Sequence, residues 1–199
     1  MASENSFRVA LAMVIVLTTL ITGFHRFKAA QSDEKISRRE EGYVFAVVLR
    51  LAGIMLFVIT IAYLLAPSSV RWAMFAIPIA IRWMGAVTGL FSSVLMYWTL
   101  SSLGKNLTDT VVTRKGATLV TDGPYRWVRH PFYLTTALVM VSVTLLTANW
   151  FIGIGCLVVL AMLAIRTPKE EQVLIERFGQ KYLDYMASTG RFFPRISTK

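Results

Sequence analysis

Apolar residues dominate this chain in five long runs that are separated by polar segments. The runs cover residues 9–24, 43–65, 83–100, 131–146 and 150–165. A helix needs about 20 predominantly apolar residues, each rising about 1.5 Å, to cross the hydrocarbon core of a bilayer. The pattern therefore predicts an all-α integral membrane bundle of five transmembrane helices.

The segment between the second and third runs is apolar but interrupted. Residues 67–81 contain Pro67, Arg71 and Pro78, and Trp72 and Trp83 flank the part nearest the third run. Tryptophan is enriched at membrane–water interfaces. We expect this segment to be an interfacial connection, so that residues 1–100 hold three transmembrane helices and 101–199 form a second region.

The second region contains a loop, a hairpin and a tail. The loop covers residues 101–130, and only residues 147–149 separate the fourth and fifth runs, which predicts a tight antiparallel helix hairpin over 131–166. In the tail, 167–199, apolar residues recur at helical spacing. They are Leu174, Phe178, Tyr182, Tyr185 and Met186.

Lysine and arginine are distributed unevenly over the connecting segments. Segments 24–42 and 101–130 carry five each and the tail from Arg166 carries seven, against one before residue 9, two in 66–82 and none in 147–149. By the positive-inside rule the N-terminus lies outside, and the long loop and tail are cytoplasmic. The rule also accounts for the formal charge of +10, so we expect no nucleic acid partner.

Cysteine and histidine are scarce. Cys156 is the single cysteine and lies inside an apolar run, and His25 and His130 are the only histidines. A disulfide within the chain and a cysteine-based zinc site are therefore excluded, and we expect no metal centre.

Two polar segments, 119–133 and 166–171, meet the membrane on the cytoplasmic side. The predicted hairpin places His130 and Arg166 at adjacent helix ends. Singly, these residues have structural explanations: Thr167 to Glu170, with Pro168 at the first helical position, matches a capping box that starts a new helix. Together, the cations, histidine, tyrosines and carboxylates suit a zwitterionic ligand with an aromatic group. S-adenosylmethionine is such a ligand, although spacing alone does not select it.

Several short motifs carry a family resemblance. They are Leu103-Gly104-Lys105-Asn106, Leu119-Val120 with Gly123 and Tyr125, Arg129-His130-Pro131-Phe132-Tyr133, Arg166, Glu170-Glu171, Phe178-Gly179, Tyr182, Tyr185, and Thr189-Gly190-Arg191-Phe192-Phe193-Pro194. Over about residues 103–194 the chain resembles the isoprenylcysteine carboxyl methyltransferase family, which shares this signature with phospholipid N-methyltransferases. The size is similar to the small prokaryotic five-span members, which favours a prokaryotic inner membrane over endoplasmic reticulum.

The resemblance implies an S-adenosylmethionine site covered by a cytoplasmic C-terminal helical lid, with S-adenosylhomocysteine as product. It implies that Arg166 faces a lipophilic substrate arriving from the bilayer, a small molecule or a lipidated peptide. The implied cofactor-binding residues are Ala117, Thr118, Leu119, Val120, Tyr125, His130, Pro131, Phe132, Tyr133 and Glu170. One departure is Thr135, where many members have glycine, and this residue could narrow the cofactor entrance.

The reaction implied is direct in-line transfer of the sulfonium methyl group. We favour carboxyl O-methylation of a prenylcysteine-like acid, because a carboxylate is already ionised at neutral pH and a guanidinium such as Arg166 can hold it by two hydrogen bonds. A phospholipid amine or a small thiol is the alternative acceptor and would need a base, for which Glu171 or His130 are candidates. A reductase using NADPH, or a non-enzymatic membrane protein whose motif residues are caps and anchors, are alternatives of other classes.

Overall fold

Helices are the main secondary structure of the residues that the structure describes. The structure, a computed structural model, describes residues 2–31, 43–104 and 118–195. The α-helices are α1 (Ala2–Ala30), α2 (Tyr43–Leu65), α3 (Ile79–Leu103), α4 (Pro131–Thr147), α5 (Trp150–Phe178) and α6 (Gln180–Ser188), with 3₁₀ helices at Pro67–Ala73 and Gly123–Arg126. The predicted all-α class is confirmed, and no strand occurs in these three ranges.

Four helices, α1, α2, α3 and α5, are long and apolar enough to cross a membrane. The remaining apolar helix, α4, has 17 residues, which is near the lower limit of about 17 for a span. Large apolar side chains such as Leu51, Met55 and Val58 on α2 are 59–60% exposed, as expected for surfaces in contact with lipid. The protein is an integral membrane protein with the predicted bundle, while the count of five spans stays a prediction.

Two helix boundaries differ from the predicted ones. Helix α1 runs from Ala2 to Ala30 because the polar residues that flank its apolar run are also helical. Helix α3 begins at Ile79 instead of Trp83, directly after Pro78. Proline is compatible with a helix start because the first backbone N–H groups of a helix have no intrahelical partner.

Helix α5 is continuous through the position where a new helix was predicted to begin. It extends from Trp150 to Phe178 with Pro168 inside it, so the capping-box interpretation was wrong. The Thr167 hydroxyl donates to the carbonyl of Leu163 at 3.0 Å, a bond to the preceding turn, and does not accept from Glu170. The polar residues 166–171 therefore extend one rigid membrane helix.

The bundle is tightest where α3 crosses α4 and α1, at a pair of glycines four residues apart. A Cβ at Gly89 would lie 2.5 Å from both the Ser142 hydroxyl and Val14 Cγ2, and one at Gly85 would lie 2.9 Å from Leu145 Cβ. The Ser142 hydroxyl donates to the Gly85 carbonyl at 2.6 Å. Such small-residue crossings allow membrane helices to approach closely and to hydrogen-bond across the interface.

A buried ion pair ties the helices together at the end of the bundle that carries the 147–149 turn. Arg82 Nη1 lies 2.6 Å from Glu4 Oε2, and its Nη2 donates to the Leu146 carbonyl at 2.6 Å. The Tyr63 hydroxyl donates to Glu4 Oε1 at 2.5 Å. Arg82 thus places a cation at the C-terminal end of α4, where the helix dipole favours positive charge.

Helices α4 and α5 are joined by a tight turn. The turn consists of Ala148, at φ 45°, and Asn149, whose side chain accepts from the Ile152 amide at 3.0 Å. Asn149 Nδ2 also donates to the Val70 carbonyl at 3.0 Å, so the 67–73 connection packs on the turn. The short turn holds α4 and α5 antiparallel and brings the N-terminus of α4 beside residues 166–171 of α5.

Candidate active site

The first cluster at this junction is centred on the carboxylate of Glu170. The Tyr133 hydroxyl donates to Glu170 Oε1 at 2.7 Å, and Arg166 Nε lies 3.0 Å from the same oxygen. His130 Nδ1 is 3.8 Å from Glu170 Oε2. The convergence of an imidazole, a guanidinium and a glutamate that the hairpin predicted is therefore present.

Glu171, the next residue on α5, is the centre of a second cluster. Its side chain is 4% exposed, and its Oε1 lies 2.8 Å from Arg129 Nε and 3.3 Å from His130 Nε2. Its Oε2 accepts from Arg191 at 2.5 Å. His130 thus lies between the two carboxylates, while two guanidinium groups stabilise the ionised form of Glu171.

The C-terminal segment packs directly against the start of α4. The amides of Arg129 and His130 donate to the carbonyls of Gly190 and Arg191 at 2.8 and 3.1 Å. The Phe192 ring lies 5.9 Å from the His130 ring, measured between centroids. A Cβ at Gly190 would lie 1.7 Å from the Phe193 carbonyl oxygen, so this close chain path requires glycine.

A cavity lies beside the Glu171 cluster, with about 490 Å³ of empty space that includes open solvent at its mouth. It is lined by Leu103, Thr118, Leu119, Val120, Tyr125, Arg129, Leu174, Phe178, Tyr182 and Tyr185. Arg129 belongs both to this wall and to the Glu171 cluster, so it connects the cavity with the polar groups.

The Tyr185 side chain fixes one wall of the cavity. Its hydroxyl donates to the Tyr125 carbonyl at 2.5 Å. Burial raises the pKa of the Tyr185 hydroxyl above its ordinary value, so this group remains a protonated donor. The contact holds α6 against the 3₁₀ turn Gly123–Arg126.

The structure divides the predicted site residues between these places. Thr118, Leu119, Val120 and Tyr125 line the cavity, whereas His130, Tyr133, Glu170 and Arg166 form the Glu170 cluster. Pro131 is buried as the first residue of α4. Phe132 packs on the side of α3, against the core that contains Met96 and Leu100. Ala117 lies outside the described residues.

Two other residues have places that the motifs did not indicate. Thr135 is fully buried. Its hydroxyl donates to the Phe132 carbonyl at 2.8 Å and to the Met96 sulfur at 3.4 Å. Thr135 therefore fills the contact between α4 and α3 and does not line the described cavity. The family motif includes Arg129 but does not indicate its contact with Glu171. The only sequence signal for Arg129 is its position next to His130 in that motif.

Comparison with known proteins agrees with this arrangement. Residues 85–176 match the model of the isoprenylcysteine carboxyl methyltransferase (ICMT) family. Through this region, the chain is similar to the ICMT family. The match includes α4, the 3₁₀ turn and both carboxylates of the two clusters.

Curated ICMT relatives are similar over the same part of the chain. A protein-S-isoprenylcysteine O-methyltransferase of Dictyostelium discoideum is 31% identical over 118 residues, which are 57% of this chain and 49% of the relative. The enzyme of that name from Mus musculus is 35% identical over 112 residues, 53% of this chain and 39% of the relative. The matches thus span half or less of these relatives.

The fold is similar to a solved ICMT structure, that of the eukaryotic intramembrane Ras methyltransferase without a monobody. The TM-score is 0.53 at 20% sequence identity, and the alignment covers 94% of this chain and 71% of the other. This likeness concerns the fold, and it includes the N-terminal helices that lie outside the family match.

Proposed function

We propose that this protein transfers the methyl group of S-adenosylmethionine to a lipophilic acceptor at the cytoplasmic membrane face, and that the acceptor is a carboxylate of a prenylcysteine-like acid. The observation that carries the proposal is the Glu170 cluster, in which Arg166, Tyr133 and His130 surround one carboxylate. The cluster lies within the region that matches the family. Through His130 it adjoins the Glu171 cluster, whose Arg129 lines the cavity. Four other implied cofactor residues line the same cavity: Thr118, Leu119, Val120 and Tyr125.

The residues present fit the cofactor. The cavity offers the backbone of Thr118 to Val120 and the aromatic rings of Tyr125, Tyr182 and Tyr185 to a nucleoside, and the guanidinium of Arg129 to a carboxylate. Glu170 would hold a cationic group by charge and hydrogen bonding. When bound, S-adenosylmethionine supplies an electrophilic methyl group on its sulfonium. The chain then has to align the acceptor and exclude water.

Arg166 is placed to hold the acceptor. It lies one helical turn before Glu170, and the 3.0 Å contact from its Nε fixes the guanidinium beside that carboxylate. A guanidinium presents a planar set of donors that suits a carboxylate. We therefore assign Arg166 to orienting the acceptor oxygen toward the methyl group.

The surroundings of Glu171 favour a carboxylate acceptor over an amine or thiol. An amine or thiol must lose a proton, and Glu171 and His130 are the candidate bases. His130 already contacts the carboxylates of Glu170 and Glu171. Because Arg129 and Arg191 contact the two oxygens of Glu171, its ionised form is strongly stabilised and accepts a proton poorly. A carboxylate acceptor needs no base, so it matches the groups present.

The orientation in the membrane belongs to the same proposal. With the N-terminus outside, the junction of α4, α5 and the tail faces the cytoplasm, and the 147–149 turn faces outward. A lipophilic acceptor can then reach Arg166 from the bilayer, since Ile165 beside it is 68% exposed. A prokaryotic inner membrane is the location we propose.

Calorimetric titration of the detergent-solubilised protein with S-adenosylhomocysteine tests the cofactor, and methyl transfer to a farnesylated cysteine derivative tests the acceptor. We expect binding, and transfer to the free acid but not to its carboxamide. Glu170→Gln should weaken binding about 10- to 100-fold, the usual effect of losing a hydrogen bond to a charged group. Glu176→Gln, an exposed change on the same helix, is the matched control.

The variant Arg166→Ala distinguishes a role in holding the acceptor from a role in binding the cofactor. It should abolish transfer and leave affinity for S-adenosylhomocysteine within a few-fold of wild type. Equal loss of both would assign Arg166 to the cofactor site. Folded wild-type protein that releases no heat with S-adenosylhomocysteine would refute the proposed function.

A further inference from the structure

The hydroxyl of Tyr182 is a buried polar group at the cavity that the two clusters leave unexplained. Tyr182 lies in the first turn of α6 and is 1% exposed. Its Oη has no hydrogen-bond partner among the residues that the structure describes. Two other buried tyrosine hydroxyls are paired: that of Tyr63 donates to Glu4 and that of Tyr185 to the Tyr125 carbonyl.

An unpaired buried hydroxyl is unfavourable, because it gives up its bonds to water without replacing them. Phenylalanine would fill the same space without that cost. Burial raises the pKa of the Tyr182 hydroxyl, so ionisation does not relieve the loss. A group of this kind in a native protein calls for a partner beyond those that the described residues provide.

The position of Tyr182 indicates where that partner binds. Its side chain is part of the wall of the 490 Å³ cavity, together with Tyr125 and Arg129. The ring is held edge-on by Tyr185, with centroids 5.9 Å apart and planes at 61°. The orientation of the Tyr182 ring is therefore fixed by packing in the cavity wall before any ligand enters.

We propose that Tyr182 is a cofactor-binding residue, whose hydroxyl forms a hydrogen bond with a polar atom of the nucleoside-bearing ligand in this cavity. The inference rests on the proposed function and extends it to a residue of the tail helix. It gives α6 a direct role in ligand recognition, in addition to covering the site. It also predicts that the ligand relieves an existing penalty in the unliganded protein.

The variant Tyr182→Phe tests the inference by titration with S-adenosylhomocysteine and by thermal unfolding in detergent, each with and without ligand. Affinity should fall about three- to tenfold, as expected for loss of one neutral hydrogen bond. The melting temperature without ligand should stay equal to wild type or rise, because an unpaired hydroxyl has been removed.

Two matched changes serve as controls. Tyr185→Phe removes a hydroxyl that has a protein partner, so it should lower the melting temperature without ligand. Tyr97→Phe removes a hydroxyl from a side chain that is 54% exposed on α3, so it should change neither property.

Each outcome decides the inference. If wild type binds and Tyr182→Phe binds equally well, Tyr182 is not a ligand contact. If Tyr182→Phe lowers the melting temperature without ligand as much as Tyr185→Phe does, the hydroxyl has a structural partner and the inference fails. Wild-type protein that binds no S-adenosylhomocysteine refutes the proposed function and this inference together.

Discussion

Replacing Glu171 with glutamine should destabilise the protein more than any other single charge removal near the site. The substitution keeps the shape of the side chain but removes the charge that Arg129, Arg191 and His130 contact. Arg129 would then be a buried cation without its carboxylate partner.

The size of the effect follows from burial. The side chains of Arg129 and Glu171 are only 9% and 4% exposed, and removing one partner of a buried ion pair costs about 3–5 kcal/mol. Arg191 is 43% exposed, so its pair adds at most about 1 kcal/mol. Because glutamine still offers one oxygen to Arg129, we expect a loss near the lower limit, about 3 kcal/mol.

Reversible unfolding in mixed detergent micelles measures this change, with Glu176→Gln as the control on the same helix. The double variant Arg129→Gln, Glu171→Gln should lose less than the sum of the two single variants, because it leaves no unpaired buried charge. If Glu171→Gln unfolds within about 0.5 kcal/mol of wild type, the range of a neutral surface change, the Glu171 cluster does not hold the tail on α4.

Two further predictions concern the bundle itself. Gly89→Ala should destabilise the protein by about 1–3 kcal/mol through overpacking against Ser142 and Val14. The control Gly53→Ala, whose Cβ would meet no atom within 4 Å, should be neutral or slightly stabilising. Equal melting temperatures of the two variants would contradict the tight crossing. In a Cys156→Ala background, an impermeant maleimide should label Ser68→Cys from outside intact cells and should not label Lys181→Cys, and the opposite pattern would reverse the proposed orientation.

The membrane helices could be predicted because their signal is local. An apolar run long enough to cross lipid has few structures open to it, since its backbone must pair internally. The end of α5 could not be placed in this way. After Ile165 the polar residues and Pro168 have the pattern of a helix start, and only the structure shows that Thr167 bonds to the turn before it.

The crossing of α3 had a visible signal that was not interpreted. Gly85 and Gly89 stand four residues apart in an apolar segment, the spacing typical of close helix contacts in membranes. The pattern does not identify the partner helix, since that depends on how α1, α3 and α4 pack. The contact with Ser142 therefore had to come from the structure.

The site was predictable where the chain itself brings residues together. The two-residue turn between α4 and α5 makes the approach of His130 and Glu170 a consequence of local geometry. The pairing of Arg129 with Gly190 joins residues about sixty positions apart, and no spacing rule relates them. For the same reason, neither the helical spacing of Tyr182 nor its place in the family motif indicated that it lines the cavity.

Because α5 is one continuous helix, its position in the lipid bilayer is mechanically coupled to the position of Glu170 and Arg166. Glu170 lies about twenty residues beyond the 147–149 turn, about 30 Å along the same continuous helix. A membrane whose thickness changes the tilt of α5 must also displace Glu170 and Arg166 relative to the residues at the start of α4. Turnover in reconstituted bilayers should therefore depend on acyl-chain length, in a way that a detergent micelle does not reproduce.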